Sequence, residues 1–522
     1  MPAPMWRRKI NITSLPKRHL QAFLDRPRLD YRSWKTLSLD KLEARHARLP
    51  ADIPSWDKLH QDQKVCALIG ARQPRFAFFN DPGTGKTMLS LTLARYHRRI
   101  GNLQRVLVLV PNKSNCVEWG DEVAKHYPKT KFVSLTGSSR NKWMQLEANP
   151  KALITVTTYA GFTRMASDKK GKTLTPNLAR VKKLAQTFQG LVLDESSEVK
   201  GHDSLIFRIC RKLSKTSHMV LVLSGTPFGR DPTALWAQMN LVDGGETLGE
   251  TLGLFRGIFF KTSVNYFGGF QHRFIQKKRS LIYDMLANRS IRYPAKEADL
   301  PKVVPIIKRV ELSEEARDWY ERATGELRAA AGDFTRVKNT FLRMRQLSSG
   351  FVGLPADEDG RKAKVEFAEN PKLEQLLGIV QSIPLEYPAI MVHEFIYSGE
   401  RICQQLEEQR IPFVYLRGGV KDEAASIRKF KTGRVTRLVI NHKAGGFGLN
   451  LQNAAYMLFY ESPVSSIIRK QVEARFIRRY SAWDRVFRYD LLAINTMDER
   501  IREFHTEGDD LFKAILEGRA RI

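Results

Sequence analysis

The sequence of 522 residues has little cysteine and no long apolar run. Its four cysteines lie far apart and form no Cys-x-x-Cys pair, which argues against a zinc site and against a disulfide framework. Isolated thiols are typical of a reducing compartment, so we expect a cytoplasmic protein. No apolar stretch approaches the roughly 18 residues that a membrane-spanning helix needs, and we therefore expect no membrane anchor.

Carboxylates are also scarce. The chain has 55 Asp and Glu against 86 Lys and Arg, which gives a formal net charge of +31. This excess is larger than solubility requires and indicates a polyanionic partner. Nucleic acid is the first candidate, because phosphate neutralisation releases counterions and so drives binding. A generally basic proteome or a membrane surface is the alternative, although no convincing basic amphipathic helix with a strong apolar face is present.

The start of the chain also has an excess of basic over acidic residues, since no acidic residue precedes Asp25. We predict that residues 1–55 form a basic extension that contacts nucleic acid. A mitochondrial-type targeting segment is the alternative, but Pro16 and the low serine content argue against it. No secretory signal is recognisable. The basic residues near the start are Arg7, Arg8, Lys9, Lys17 and Arg18.

A chain of this length exceeds a single hydrophobic core, so two or three domains are expected. In two regions, apolar runs rich in Val, Leu and Ile alternate with helical patterns, as in parallel α/β sheets. The fold class predicted is α/β, with two parallel-sheet lobes in tandem, a helical insertion between them and a basic N-terminal extension. The predicted boundaries are 1–55, 56–235, 236–370 and 371–522. The predicted strands are 76–79, 106–110, 153–157, 191–193 and 219–223, then 389–392, 413–416, 437–440, 456–460 and 486–492; helices are predicted at 314–328 and 334–347.

Residues Asn80–Thr87, Asn-Asp-Pro-Gly-Thr-Gly-Lys-Thr, follow the first predicted strand and precede a helical pattern. Strand, glycine-rich turn, Lys-Thr and helix together predict a phosphate-binding loop. Gly83 and Gly85 permit backbone conformations that let N–H groups face phosphates. Lys86 is expected to reach the β- and γ-phosphates, and the Thr87 hydroxyl to ligate Mg²⁺. The usual first glycine is replaced here by asparagine, and a turn without function is the alternative.

Two adjacent carboxylates, Asp194 and Glu195, end another predicted strand. At the carboxyl edge of a parallel sheet they are expected beside the phosphate-binding loop. Asp194 is predicted to hold Mg²⁺ through its shell, and Glu195 to polarise the attacking water. Taken alone, an Asp-Glu pair after a strand is a common start of a loop, and the phosphate loop about a hundred residues earlier is what favours the catalytic interpretation.

Several strand ends carry groups suited to phosphate contacts. Pro111 and Asn112 follow one predicted strand, and Thr157 and Thr158 end the next. Hydroxyls, amides and exposed N–H groups at such positions bind nucleic-acid phosphates well. Lys443 follows a strand of the second region and is also predicted to contact nucleic acid.

The second region also offers an arginine pair and a glycine-rich loop. Arg475 and Arg478 are three residues apart, so on a helix they share a face. Arginine from a second lobe that reaches a transferring phosphoryl group contributes roughly 10³–10⁵ in rate. A solvated basic helix face is the alternative. Upstream, the glycines near Gly448 and Asn450 permit close approach of the backbone to a ligand.

In this order, the motifs resemble the Snf2 family of superfamily 2 helicase-like ATPases, over about residues 59–501. The segments that carry the resemblance are Leu59–Gln63, with Gln63 at the adenine-reading position; Asn80–Thr87 (motif I); Val110-Pro111 with Trp119 and Glu122 (Ia); Thr157–Tyr159 (Ib); Asp194–Ser197 (II); Ser224–Pro227 (III); Arg417–Gly419; Ala444–Leu451 (V); Gln471, Arg475 and Arg478 (VI); and Thr496–Ile501. Ser290–Arg292 and Leu300-Pro301 resemble two further sequence features of the family.

The resemblance implies two RecA-like lobes with ATP and Mg²⁺ bound between them. Its cofactor-binding positions fall on Gln63, Gly83, Thr84, Gly85, Lys86, Thr87, Gly448 and Asn450; its metal ligands on Thr87 and Asp194; and its catalytic positions on Lys86, Glu195, Arg475 and Arg478. The implied activity is a DNA-stimulated ATPase that translocates on DNA, with double-stranded DNA favoured, and remodels protein–DNA or branched structures. A minimal bacterial or phage form, nucleoid-associated in the cytosol, fits the short chain.

Three departures from the family pattern are notable. Asn80-Asp81-Pro82 replaces the usual acidic lead of the phosphate loop, Ala474 replaces a glycine, and Ser196-Ser197 replaces Ala-His after the paired acids. The last position normally helps to couple hydrolysis to nucleic-acid contact. A strand-separating DNA or RNA helicase, and a nucleic-acid-binding module with weak or silent ATPase, therefore remain open alternatives. RNA as the partner is open too, and protein partners are unknown.

Overall fold

The computed structural model describes residues 23–24, 26, 28–38, 40–42, 53–171, 173–199, 201–225, 233–264, 270–294, 300–329, 334–356, 362–417, 423–443, 450–478 and 481–507. The chain divides into two compact units, Met1–Pro294 and Ala295–Ile522. The division falls inside the segment 236–370, for which a helical insertion is predicted. That segment contributes strands to both units as well as helices.

The first unit is built on a seven-stranded parallel sheet in the order β11-β1-β8-β7-β2-β4-β3. The central strands are buried on both faces, which explains their near-continuous Val and Leu runs. The strands are β1 (Arg75–Phe78), β2 (Val106–Val110), β3 (Phe132–Ser134), β4 (Ile154–Thr158), β7 (Gly190–Leu193), β8 (Met219–Leu223) and β11 (Ser290–Ile291).

Helices cover this sheet, and two hairpins extend the unit. The hairpins pair β5 (Ser167–Lys170) with β6 (Thr173–Pro176) and β9 (Phe260–Val264) with β10 (Phe270–Phe274). The helices are α1 (Gln61–Arg72), α2 (Lys86–Arg99), α3 (Lys113–His126), α4 (Ser139–Ala148), α5 (Tyr159–Met165), α6 (Leu178–Thr187), α7 (Leu205–Ser214), α8 (Thr233–Asp243), α9 (Leu252–Phe259) and α10 (Arg279–Leu286).

The second unit is built on a six-stranded parallel sheet in the order β12-β19-β18-β15-β17-β16. Its strands are β12 (Lys302–Val310), β15 (Ala389–His393), β16 (Val414–Leu416), β17 (Arg437–Asn441), β18 (Tyr456–Phe459) and β19 (Arg485–Ala493), and a hairpin pairs β13 (Phe351–Ala356) with β14 (Lys362–Glu366). Its helices are α11 (Glu314–Ala329), α12 (Phe334–Leu347), α13 (Pro371–Ser382), α14 (Ile396–Glu408), α15 (Glu423–Lys431), α16 (Ser466–Phe476) and α17 (Met497–Glu507).

The predicted α/β class with two parallel sheets is confirmed. Each of the ten predicted strands is present, with its ends within one residue of the predicted ones. The two helices predicted at 314–328 and 334–347 are also present. Three strands of the two parallel sheets were not predicted, namely β3, β11 and β12, and neither were the six strands of the hairpins. Among the described residues, no helix combines the length and the apolarity needed to cross a bilayer.

Candidate nucleotide-binding site

The segment between β1 and α2 has the geometry of a phosphate-binding loop. Gly83 and Gly85 adopt positive φ angles of 81° and 77°, which favour glycine over other residues. The Lys86 ammonium donates to the carbonyl oxygens of Asn80 at 2.8 Å and Asp81 at 3.1 Å, so it lies folded over the loop. No side chain caps the start of α2 at Gly85. The first N–H groups of the helix can therefore face an oxyanion.

Gln63 lies beneath this loop. Its Nε2 donates to the carbonyls of Thr84 at 3.2 Å and Gly85 at 3.3 Å, while its Oε1 accepts from the backbone N–H of His60 at 3.0 Å. A Cβ on Gly85 would lie only 2.2 Å from Gln63 Nε2. The predicted adenine-reading residue therefore holds the phosphate loop in this structure.

Asn80 stands where the usual pattern has its first glycine, and the structure gives a reason for it. Its Oδ1 accepts from the backbone N–H of Tyr293 at 2.9 Å, and the N–H of Asp81 donates to the Tyr293 carbonyl at 3.0 Å. Arg292 adds an ion pair to the Asp81 carboxylate at 3.0 Å. The start of the loop is thus tied to the chain that follows β11, at the end of the first unit.

The paired acids follow β7, and Asp194 is held from three sides. Its Oδ2 accepts from the indole N–H of Trp119 at 2.9 Å, and its Oδ1 accepts from the backbone N–H of Glu195 at 3.0 Å. The hydroxyl of Tyr159 donates to the Asp194 carbonyl at 2.9 Å. Trp119 and Tyr159 were quoted above only as parts of motifs Ia and Ib, because sequence separation hides such contacts.

Glu195 occupies an uncommon conformation and environment. Its φ of 47° lies in the left-handed region, which costs energy for a non-glycine residue and is typical of functional sites. Burial raises the pKa of Glu195 to about 7, although the nearby charge of Lys86 opposes this shift, and the charge of Asp194 adds to it. Ser197 donates to Glu195 Oε1 at 3.4 Å. A carboxyl group with a pKa near neutrality is suited to acid–base chemistry.

Ser196, one of the departures from the family pattern, is fully buried. Its hydroxyl donates to Gln238 Oε1 at 2.7 Å, which links the paired acids to α8. Next to the loop, a Cβ on Gly225 would lie 2.7 Å from Pro82 Cδ, so the end of β8 packs closely against the phosphate loop. Thr226 and Pro227 of the predicted motif III lie outside the described residues.

The strand-end residues predicted to contact nucleic acid have structural roles here. Asn112 caps α3, since its Oδ1 accepts from the Asn115 N–H at 3.1 Å, and Thr158 caps α5 by accepting from the Gly161 N–H at 3.0 Å. Pro111 is half-buried. Thr157 is fully buried, and its hydroxyl donates to the Leu135 carbonyl at 3.2 Å. The Thr157 side chain therefore packs inside the first unit, and its contact with nucleic acid stays a prediction.

In the second unit, Arg475 is buried on α16, and its carbonyl accepts from the Leu451 N–H at 2.9 Å. Arg478 follows this helix, is half-buried, and donates from Nε to the Ala474 carbonyl at 2.9 Å. Asn450 Oδ1 accepts from the Gln452 N–H at 3.2 Å. The predicted ligand position Gly448 lies outside the described residues.

Lys443 contacts an acid that sequence reasoning missed. Its ammonium lies 3.1 Å from Glu394 Oε1, and Glu394 also pairs with Arg345 at 2.6 Å. Burial opposes ionisation of Glu394, but the charge and hydrogen bond of Arg345, with help from Lys443, lower its pKa to about 2. Glu394 is therefore held in its charged form and pairs with Lys443, which follows β17. The only sequence signal for Glu394 was its position directly after a buried strand.

Comparison with known proteins agrees with this geometry. The family described as the SNF2-related domain matches residues 60–352, more than half of the chain, and the helicase conserved C-terminal domain matches residues 371–480. YwqA of Bacillus subtilis, whose name gives it as a candidate ATP-dependent helicase/translocase, is 22% identical over 76% of this chain and 42% of its own length. A phage protein, p41 of Acyrthosiphon pisum secondary endosymbiont phage 1, is 22% identical over 84% of this chain and 94% of its own length.

A solved structure, the helicase domain of Hef from Pyrococcus furiosus, shares the fold with a TM-score of 0.50, 16% identity, and coverage of 86% of this chain and 99% of that one. The chain spans less than half of the length of YwqA. The matched domains, in the order that the motifs predict, show that this chain belongs to the SNF2-related family of helicase-like proteins.

Proposed function

We propose that this protein hydrolyses ATP in a reaction stimulated by nucleic acid, and that it uses the cycle to translocate on DNA. Double-stranded DNA is the favoured track, and the output is remodelling of protein–DNA or branched DNA structures. Family membership and the charge of +31 support this proposal. We place the activity in the cytoplasm of a bacterial or phage-infected cell.

One observation carries the proposal, namely that a phosphate loop and a pair of acids converge at one edge of one sheet. The loop follows β1, the acids follow β7, and β8 lies between these strands. Because all three strands are parallel, their carboxyl ends meet at the same edge. The charge of Lys86 is close enough to act on Glu195. A cation for phosphates and a carboxyl group near neutrality are what phosphoryl transfer to water requires.

Each residue then has a distinct role. The N–H groups around Gly83, Thr84 and Gly85, together with Lys86, bind the β- and γ-phosphates, while Gln63 supports the loop. Glu195 orients the attacking water and accepts its proton. The oxygens of Thr87 and Asp194 fit Mg²⁺, which prefers hard oxygen ligands. When bound, this ion neutralises charge on the phosphates of ATP.

The second unit supplies the remaining groups in this proposal. Arg475 and Arg478 stabilise charge on the transferring phosphoryl group. Gly448 and Asn450 contact the nucleotide. Residues 56–235 and 371–522 supply most of the two RecA-like lobes, residues 236–370 connect them and add β11 to the first sheet and β12 to the second, and residues 1–55 form the basic extension. Pro111, Asn112, Thr158 and Lys443 lie toward the nucleic acid. Lobe closure then links hydrolysis to movement along the strand.

ATP turnover with no nucleic acid, duplex DNA, single-stranded DNA, forked DNA and RNA tests this function. We expect duplex DNA to raise turnover well above the basal rate. Lys86→Ala should abolish turnover with each of these nucleic acids. A lack of stimulation by any nucleic acid would favour a binding module with silent ATPase. Displacement of a labelled strand would favour a strand-separating helicase, and stimulation by RNA alone would refute DNA as the track.

A further inference from the structure

The hairpin of β9 and β10 has two chemically different faces. Phe260 and Phe274 are directly opposite each other in the register, and their rings meet edge to face at 5.6 Å. Phe260 also packs against Phe255 of α9, which is fully buried in the main core of the first unit. One face of the hairpin is therefore anchored to the folded domain.

The other face carries like charges in register. Lys261 and Arg273 are cross-strand partners next to the Phe260–Phe274 pair, so both side chains leave the opposite face of the hairpin, and both are exposed. Like charges directly opposite each other destabilise an antiparallel pair. Neither side chain has an ion-pair partner among the residues that the structure describes.

The hairpin lies within a stretch of the unit that has no acidic residue. Residues 251–283 contain six Lys and Arg and no Asp or Glu, in a chain that has 55 acidic residues. Lys277 and Arg279, which follow β10, are exposed and likewise have no ion-pair partner in the described part of the chain. Lys278 is different, because its ammonium donates to the Ile258 carbonyl at 2.5 Å and braces α9. Four exposed cations, close together in the sequence, thus have no ion-pair partner among the described residues.

We propose that this surface, the basic hairpin of Lys261, Arg273, Lys277 and Arg279, binds the phosphate backbone of nucleic acid. Uncompensated charge attracts a polyanion because binding releases counterions. A membrane surface fits less well, since it needs exposed apolar side chains beside the cations, and the two aromatic side chains of the hairpin that the structure describes, Phe260 and Phe274, pack against each other on the opposite face. Its residues are different from those predicted to contact nucleic acid at the ends of β2 and β4. The proposal rests on the proposed function only in taking duplex DNA as the ligand.

The test measures binding of the full chain to a labelled DNA duplex over a range of salt concentrations. The variant Lys261→Gln/Arg273→Gln removes two charges and keeps chain length and polarity. Its matched control, Lys129→Gln/Lys131→Gln, removes two exposed charges just before β3, at the amino edge of the sheet. Each phosphate contact contributes about 0.9 to the slope of log K against log salt, so the hairpin variant should lose close to two units of slope. The control should keep the slope of the wild type.

Folding is checked independently by urea unfolding. The hairpin variant should be as stable as the wild type or slightly more stable, because it relieves a like-charge pair. If the wild type binds DNA and the hairpin variant keeps the salt slope of the wild type, the basic hairpin does not bind phosphates, and the proposed function is unaffected. An equal loss of slope in the hairpin variant and in the control would also refute binding at the basic hairpin. Loss of binding to phosphatidylserine vesicles without loss of DNA binding would assign the surface to a membrane instead, and a wild type that binds no DNA would overturn both proposals.

Discussion

The indole N–H of Trp119 donates to the Asp194 carboxylate at 2.9 Å, although the two residues are 75 positions apart. Trp119 belongs to α3, the helix that begins beside Pro111 and Asn112, where nucleic-acid contacts are proposed. Asp194 is the proposed Mg²⁺ ligand. A hydrogen bond between them gives a direct route by which a shift of α3 changes the orientation of a metal ligand.

Trp119→Phe removes this hydrogen bond and keeps most of the packing. A hydrogen bond to a charged group is worth about 1.5–3 kcal/mol, so we expect stimulated turnover to fall by roughly ten-fold or more. The concentration of Mg²⁺ needed for half-maximal turnover should rise, which a purely structural defect would not cause. Steady-state ATPase assays across a Mg²⁺ titration measure both effects.

The control for that variant is Trp236→Phe. Trp236 is similarly buried, and its indole N–H donates to the Gly249 carbonyl at 2.8 Å rather than to a carboxylate. It should lose similar stability while its Mg²⁺ dependence stays that of the wild type. The same Mg²⁺ shift in both variants would contradict the positioning role of Trp119.

Arg478→Ala tests the contribution of the second unit. If Arg478 stabilises charge only in the transition state, turnover should fall by roughly 10³-fold while nucleotide affinity stays within a few-fold of the wild type. Affinity is measured by titration with a fluorescent ATP analogue, and turnover by phosphate release. Arg434→Ala removes an exposed arginine before β17 and should leave both unchanged. Collapse of affinity alone in Arg478→Ala would refute the proposed role.

Asn80→Ala tests why asparagine replaces glycine in the phosphate loop. The substitution leaves the Tyr293 N–H without its acceptor in a buried setting, since Asn80 is only 3% exposed. We expect a loss of about 1–3 kcal/mol in the free energy of unfolding, measured in urea. Asn102→Ala, at an exposed position after α2, should cost less than about 0.5 kcal/mol. Equal losses in the two variants would show that the Asn80 side chain contributes nothing specific.

The sequence predicted the buried strands well because both faces of each sheet are covered. A fully buried strand such as β2 is a continuous apolar run in the sequence. Because five residues are too few for a typical helix of a globular protein, such a run predicts a strand. The phosphate loop was equally predictable, since glycines, lysine and threonine at fixed spacing have few other uses.

The same reasoning failed for β12. This strand contains Pro305, which lacks an N–H and argues against a strand within a sheet. β12 lies at the edge of its sheet and pairs only with β19, about 180 residues later, where a proline can be tolerated. A local pattern cannot reveal such a partner. For the same reason the contacts of Trp119 with Asp194 and of Lys443 with Glu394 could not be predicted, since they join residues distant in the chain.

The burial of His97 makes the stability of the first unit depend on pH. It is almost fully buried on α2, and its Nε2–H donates to the Gly70 carbonyl at 3.0 Å. Burial lowers the pKa of His97 to about 4, opposed by that hydrogen bond. The unfolded chain, with a pKa near 6.5, then binds the proton more readily than the folded one. Stability is therefore complete above about pH 6.5 and falls as the pH drops toward 4.

His97→Gln removes this titration while its amide can still donate to the Gly70 carbonyl. We expect the wild type to lose a few kcal/mol between pH 7.5 and pH 4.5, and the variant to lose less over the same interval, measured as urea unfolding at each pH. His202→Gln is the control, since His202 is only half-buried. If His97→Gln and His202→Gln show the same acid dependence as the wild type, the buried histidine is not a source of the acid sensitivity.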